Sequence, residues 1–313
     1  TMNSSLGQIN GLNVNQKSVA NALDSAFNGG AATGTLSAIF NGNVAQNLQQ
    51  AAGESATGAQ QTTFNAMSQF MGVMTDPNLD GRGAPAVPVG ASQYAADDGD
   101  ALAYASGGKR RSQGERDAYA AISRKAPAAQ TFEQRWSIWA AGFGGGQNTD
   151  GNTVTGSNST ASRIFGVAVG ADYRIAPETV AGFALAGGGT TFSVANALGN
   201  GRSDLFQAGA FIRHFEGPAY ITAALAYGWQ DVTTDRTVTI AGVDRLRAQF
   251  NANAVSGRIE GGYRFITPWQ LALTPYAAGQ VTSYDLPGYA EQVLSGSSAF
   301  ALAYAAKTVT ATR

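Results

Sequence analysis

From about Trp136 onward, apolar side chains recur at every second position, the period of a strand whose two faces meet different surroundings. Phe165, Val167, Val169, Ala171 and Tyr173 form one such set, and their alternates Gly166, Ala168, Gly170 and Asp172 are small or polar. The alternation returns in Phe206, Ala208, Ala210 and Ile212. It returns again in Ile221, Ala223, Leu225, Tyr227 and Trp229, with Thr222, Gly228 and Gln230 among the alternates. Each run is about ten residues, which suits a strand tilted across a bilayer and exceeds the usual five or six. Eight runs begin near Trp136, Arg163, Thr179, Ser203, Ala219, Ala252, Trp269 and Ala299.

Connection lengths alternate between these runs. Segments 146–162, 189–202, 231–251 and 283–298 read as long loops, and 176–178, 216–218 and 267–268 as short turns. Outer-membrane barrels pair long extracellular loops with short periplasmic turns, so the pattern predicts an all-β transmembrane antiparallel meander barrel. It also predicts that the first strand runs outward. Phe165, Val167, Val169, Phe206, Ile212, Ile221 and Leu225 then face lipid. Tyr173, Tyr263, Phe265 and Trp269 fall at the inner ends and Phe206, Tyr227 and Trp229 at the outer ends, as two aromatic girdles. Arg258 and Glu260 share a side with Ser256 and Gly262, opposite Ile259 and Tyr263, which predicts a lumen-facing charged pair. Trp136 and Trp139 have opposite parity and leave the face of the first strand open.

Before residue 130 the period is helical. Asn15 is placed to cap a helix carrying Val19, Leu23 and Phe27, and Gly29 falls at its C-terminal end. A second helix from about Thr57 sets Phe64, Met67, Met71 and Met74 on one stripe, a packing face for a barrel wall or another helix. Gln60, Gln61, Asn65 and Gln69 lie opposite, and Pro77 limits its length. Residues 81–115 are rich in Gly, Pro, Ala and Asp, and a short helix is expected over Glu115 to Lys125. The resulting division is a helical junction over 1–80, a flexible linker with a short pore-segment helix over 81–130, and the barrel over 131–313.

Composition narrows the chemistry. Lys+Arg is 20 against Asp+Glu 21, which leaves no excess charge for nucleic acid. Charged residues make up 13%, about half the share of a soluble domain, so a secreted soluble β protein is disfavoured. No run of about 18 apolar residues occurs, so the crossing elements are strands. With no cysteine and one histidine, His214, neither a thiolate nucleophile nor a His/Cys metal cluster can form. The run Asp76 to Gly81 imitates a calcium loop but has Val87 where the twelfth-position Glu belongs. No cofactor, metal or catalytic residue is expected.

The runs Arg135 to Gly146 (RWSIWAAGFGGG), Ile164 to Arg174, Ala224 to Gln230 (ALAYGWQ) and Thr274 to Gln280 (TPYAAGQ) resemble autotransporter β-domains in kind and order. Asn15 to Asp24 and Leu48 to Phe64 are similar to the segment joining passenger to barrel in that family. The resemblance implies a barrel of roughly twelve strands, of which about eight are present, with a helical segment in the pore. It also implies an outer-membrane location and an upstream, covalently linked passenger carried to the cell surface. The partners it implies are membrane lipid and the barrel-insertion machinery. Some members cleave their linker between adjacent asparagines, and this sequence has no Asn-Asn pair. The polar end Lys307 to Arg313 lacks a terminal aromatic, so about four further strands are expected downstream and an export signal upstream. The alternative is a small eight-stranded anchor, adhesin or porin-like barrel, which closes only with a side-chain-filled interior.

The face assignment of the second run is testable. Val169→Arg should destabilise a folded barrel by about 2 to 4 kcal/mol if it meets lipid near mid-bilayer, whereas substitutions at Ala168 or Gly170 should be limited by lumen space. Equal tolerance of Arg at Val169 and a small polar residue at Ala168, measured by folding into micelles, would reject it.

Overall fold

The computed structural model describes residues 4–30, 34–76, 135–266 and 272–313. Three α-helices come first: α1 (Val14–Asn28), α2 (Val44–Ala51) and α3 (Ser55–Thr75). The long strands follow as β1 (Trp136–Thr149), β2 (Thr160–Ala176), β3 (Thr179–Val194), β4 (Gly199–Glu216), β5 (Ala219–Val238) and β6 (Asp244–Tyr263). After these come the short pair β7 (Phe265–Ile266) and β8 (Ala272–Leu273), then β9 (Tyr276–Leu286), β10 (Tyr289–Ala290), β11 (Gln292–Ser295), β12 (Ala303–Tyr304) and β13 (Lys307–Thr312). The main sheet is an antiparallel meander in the order β1-β2-β3-β4-β5-β6-β9-β13, with β11 added against β6. Eight strands thus form its path, the number predicted. Among the described residues β1 and β13 are its two edges and do not pair, so these eight strands do not close on themselves as the alternative barrel requires.

At one end the connections are tight. Gly217 adopts φ +57 in the two-residue turn between β4 and β5, a left-handed conformation that glycine enters without a Cβ clash. The expected long loop over 189–202 shrinks to 195–198 because β3 extends to Val194 and β4 begins at Gly199, and the one over 231–251 shrinks to 239–243 because β5 and β6 are each 20 residues long. A reversal of phase hid this. Below Gln230 the outward positions are Ile221, Leu225, Tyr227 and Trp229; above it they are Asp231, Asp235 and Thr237, and the apolar residues Val232, Val238, Leu246 and Phe250 point inward and are buried. A strand leaving lipid for water must exchange its faces in this way, and a period-2 reading loses it at the exchange. A further expectation moves. Among the described residues the seventh strand of the path is β9, from Tyr276, and the eighth starts at Lys307 rather than Ala299, since 287–306 folds back over the ends of the strands as β10, β11 and β12.

Helix α3 lies inside the curl of the sheet, against β1 to β6 and β9. Met67, Phe70, Met71 and Met74 are fully buried there with Trp139, Phe192, Phe211 and Phe250. The wall beside the helix is small: Ala168, Ala184, Ala186, Ala224, Ala226, Ala252 and Ala254 all lie in this cluster. A helix about 10 Å wide needs that room. The predicted stripe holds for Met67, Met71 and Met74, with Phe64 half-buried edge-on to Tyr284. Burial runs farther round the helix than one stripe, because Ala59, Thr62, Thr63 and Ala66 are covered too.

The remaining helices sit over the outer ends of the strands. Leu6, Ala20, Ile39 and Leu48 form a second core with Val238 and Leu246 of the β5–β6 hairpin and with Phe300. Asn13, not Asn15, caps α1: its Oδ1 accepts from Gln16 N at 2.8 Å while Gln16 Oε1 accepts from Asn13 N at 3.0 Å. Gly29 is the C-cap, as expected. The expected helix over Glu115 to Lys125, the linker over 81–130, the run Asp76 to Gly81 beyond its first residue, Trp269 and the 267–268 turn lie outside the described residues.

Three substitutions test this packing. A Cβ at Gly58 would stand 2.2 Å from the Phe192 ring, so Gly58→Ala should destabilise by about 1 to 3 kcal/mol through overpacking. Gly72 has nothing within 4 Å, so Gly72→Ala should instead stabilise α3 by about 0.5 to 1 kcal/mol. Denaturation midpoints of the folded protein would show the two opposite signs. The Asp24 carboxylate is pushed up by burial, but hydrogen bonds from Gly7 N, the Ser4 hydroxyl and Leu6 N outweigh that and hold it below the ordinary value. A lowered folded pKa contributes stability above the unfolded value of about 3.9 and loses it as pH falls through the folded one. Exchange protection factors of residues 4–8 should therefore be flat from pH 7 to about 5 and fall below about 4, and Asp24→Asn should remove that dependence.

Candidate functional site: the lumen and its helix

The lumen is polar wherever α3 does not press an apolar side chain on it. Thr63 Oγ1 donates to Gln230 Oε1 at 3.0 Å, and Gln207 Nε2 donates to the Met67 sulfur at 3.1 Å. Gln280 Nε2 reaches Ser68 Oγ at 3.4 Å. On the far side of the helix, Gln61 donates to Thr149 and Asn65 to Gln147 of β1. These uncharged contacts come from four strands and fix the helix about its axis without burying a charge against it. The helix face carrying Asn65 and Gln69 also looks into a cavity of about 540 Å³ between the edges, bounded by Gly145, Gln280 and Arg313.

Charges gather at the C-terminal end of α3. Arg213 on β4 is 5% exposed, donates through Nε to Thr222 Oγ1 at 2.9 Å, and donates through Nη2 to the Thr75 carbonyl. That carbonyl belongs to the last turn of the helix, where the macrodipole is negative and a cation is favoured. Glu260, Asp172 and Asp76 are the carboxylates acting on the same guanidinium. The Arg258–Glu260 pair read from parity forms on β6 at 2.6 Å, and the Tyr220 hydroxyl donates to the other Glu260 oxygen at 2.9 Å. Asp172 accepts from Trp139 Nε1 at 3.1 Å. Trp136 points outward against Tyr173, with ring centroids 4.9 Å apart, which settles the face of β1.

Arg213 was legible by the reasoning that found Arg258, since it sits on the non-apolar parity of its strand. Asp172 appeared only as a polar alternate. Phe165, Val167, Val169, Phe206, Ile212, Ile221 and Leu225 all lie on the outward face, between 45% and 68% exposed. Tyr227, Trp229 and Tyr263 of the girdles lie outward as well, at 44%, 38% and 44% exposure, and Tyr173 is half-buried by Trp136. Nine residues from Ile221 to Trp229, at about 3.3 Å each and tilted by about 40°, give an apolar band roughly 23 Å tall, close to the ~25 Å band of outer-membrane barrels. Among the described residues no three His, Asp or Glu side chains are grouped as metal ligands.

No curated protein matches the chain. One similar solved structure is the translocator domain of the autotransporter NalP from Neisseria meningitidis, at 20% identity and a TM-score of 0.49, covering 64% of this chain and 65% of that one. The chain thus spans about two thirds of the length of that domain. Residues 138–313 match the family described as the autotransporter beta-domain, more than half of the sequence. The chain belongs to the autotransporter β-domain family of outer-membrane translocators.

Proposed function

We propose that this chain carries an N-terminal passenger through the outer membrane and then anchors it, with α3 as the part of the transported polypeptide left inside the lumen. The observation that carries this reading is the path of the chain. Residues 4–30 and 34–51 pack over the ends of the long strands, and α3 then enters the curl of the sheet and reaches Arg213 near the tight turns. A chain that passed outward through the lumen would come to rest along this path. The apolar outer band meets lipid, and the polar upper halves of β5 and β6 stand in water on the cell surface. Arg213, Arg258 and Glu260 act as positioning residues at the inner end; nothing in the arrangement calls for a reacting group. The strands of the main path wall α3, and the helix takes up the space that a closed eight-stranded anchor would fill with its own side chains.

Protease sites near Asn152, Asn196 or Thr239 should be cut on intact cells, and sites near Ala176 or Gly217 should be resistant. An epitope fused ahead of Thr1 should be accessible to antibody on the same cells. Cutting in the reverse pattern, or an epitope reached only after lysis, would overturn the proposal.

A further inference from the structure

Residues 49–54 comprise the last turn of α2 and the link to α3, and three separate outer segments hold them. From the β1–β2 loop, the Gly156 carbonyl accepts from Gln49 Nε2 at 2.8 Å, and Asn158 donates its backbone N–H and side-chain amide to the Glu54 carboxylate at 2.6 and 2.5 Å. From the β5–β6 hairpin, Arg236 Nη1 donates to the Gln50 carbonyl at 2.8 Å and Thr239 N to Gln50 Oε1 at 2.9 Å. From the returning segment 287–304, the Tyr304 hydroxyl donates to the Gly53 carbonyl at 3.0 Å. Gly53 has φ +69, and a Cβ there would lie 2.2 Å from Leu302 Cδ1 and 2.6 Å from the Tyr304 oxygen, so only glycine fits.

One ion pair ties the returning segment down. Arg236 and Glu291 are each 2% exposed and meet through two bonds, Nε to Oε1 at 2.8 Å and Nη2 to Oε2 at 2.5 Å. Arg236 Nη2 also donates to the Phe300 carbonyl at 2.7 Å, and Leu302 N donates to Glu291 Oε2 at 2.9 Å. The Tyr289 ring stacks between Phe250 and Tyr304, at centroid distances of 4.0 and 4.6 Å. A buried pair adds little over an apolar replacement, but losing one partner strands a charge. Its effect is therefore to make docking all-or-none: the segment is seated with both charges paired, or released with both in water.

We propose that residues 287–304 form an outer lid, latched over the pore linker by Arg236 and Glu291, which closes the surface end of the lumen and holds residues 49–54 in place above α3. The assignment of this end to the cell surface rests on the function proposed above.

The sequence has no cysteine, so one introduced thiol reports alone. Ala59 lies just over one turn into α3 and is 1% exposed. In the full chain, Ala59→Cys should react slowly with a membrane-impermeant maleimide. Adding Glu291→Gln, which keeps the shape and strands Arg236, should speed the reaction by about tenfold or more. Ala241→Cys on the exposed hairpin should react rapidly at one rate in both backgrounds, which separates lid release from unfolding. Equal rates at residue 59 with and without Glu291→Gln would overturn the lid. Should Glu291→Gln fail to give a heat-modifiable folded band, Tyr304→Phe, which removes the hydroxyl's bond to Gly53, takes its place, and an unchanged rate there overturns the lid equally. Protection of Ala241→Cys on intact cells would refute the surface orientation instead, while the rates at residue 59 in detergent-folded protein would still decide the lid.

Discussion

Helix α3 lies against the inner faces of seven strands, and the requirement that a helix fit there shapes much of the chain. The inner residues beside it are chiefly alanine and glycine, with methionine on the helix to fill what remains. Protein interiors are close-packed, so wall and helix must be complementary to within about a methyl group. Methionine suits a helix that has to seat in such a wall, because its unbranched side chain takes up irregular gaps. The bulky residues displaced from the inner face appear on the outer one, where they form the band suited to lipid.

The two surroundings of the sheet explain why one strand can carry two patterns. Within the band apolar residues face out and polar groups are satisfied inside, the arrangement that a hydrocarbon surrounding requires. Beyond the band polar and charged residues face out, and the inside is a core shared with α1, α2 and the hairpin residues Val238 and Leu246. Trp229 and Asp231 on β5, two residues apart on the same face, mark the boundary. Above it the apolar residues point inward as in a soluble protein, which is why residues 4–30 and 34–51 can fold there as a covering layer.

Among the described residues, the ion pairs of the lumen lie at its two ends. At the inner end Arg213 joins the last turn of α3 to the β4 wall, and the Arg258–Glu260 pair stands beside it. At the outer end Arg236 and Glu291 bind the returning segment to the linker above α3. Between these ends the helix is held by uncharged hydrogen bonds and by burial. Such contacts can form as a polypeptide comes to rest without a desolvated charge having been dragged along the pore.

The sequence by itself determined the strand period, the number of strands in the main path and the helix bearing Met67, Met71 and Met74. All of these follow from side-chain parity or helical spacing within a single segment. It also carried enough ordered motifs to resemble the family that residues 138–313 match. Tertiary structure decided what spacing cannot encode. The face of β1 depended on Tyr173 and Asp172 of the neighbouring strand, which sort Trp136 outward and Trp139 inward. The true lengths of β5 and β6 were hidden because the surroundings, and with them the meaning of an apolar residue, change partway along each strand. The cap at Asn13 rather than Asn15 depended on where α1 meets the β1–β2 loop, whose carbonyls at Val154 and Thr155 accept from its first turn. Arg236 and Glu291 lie 55 residues apart in sequence, and only the return of the chain over the lumen brings them together.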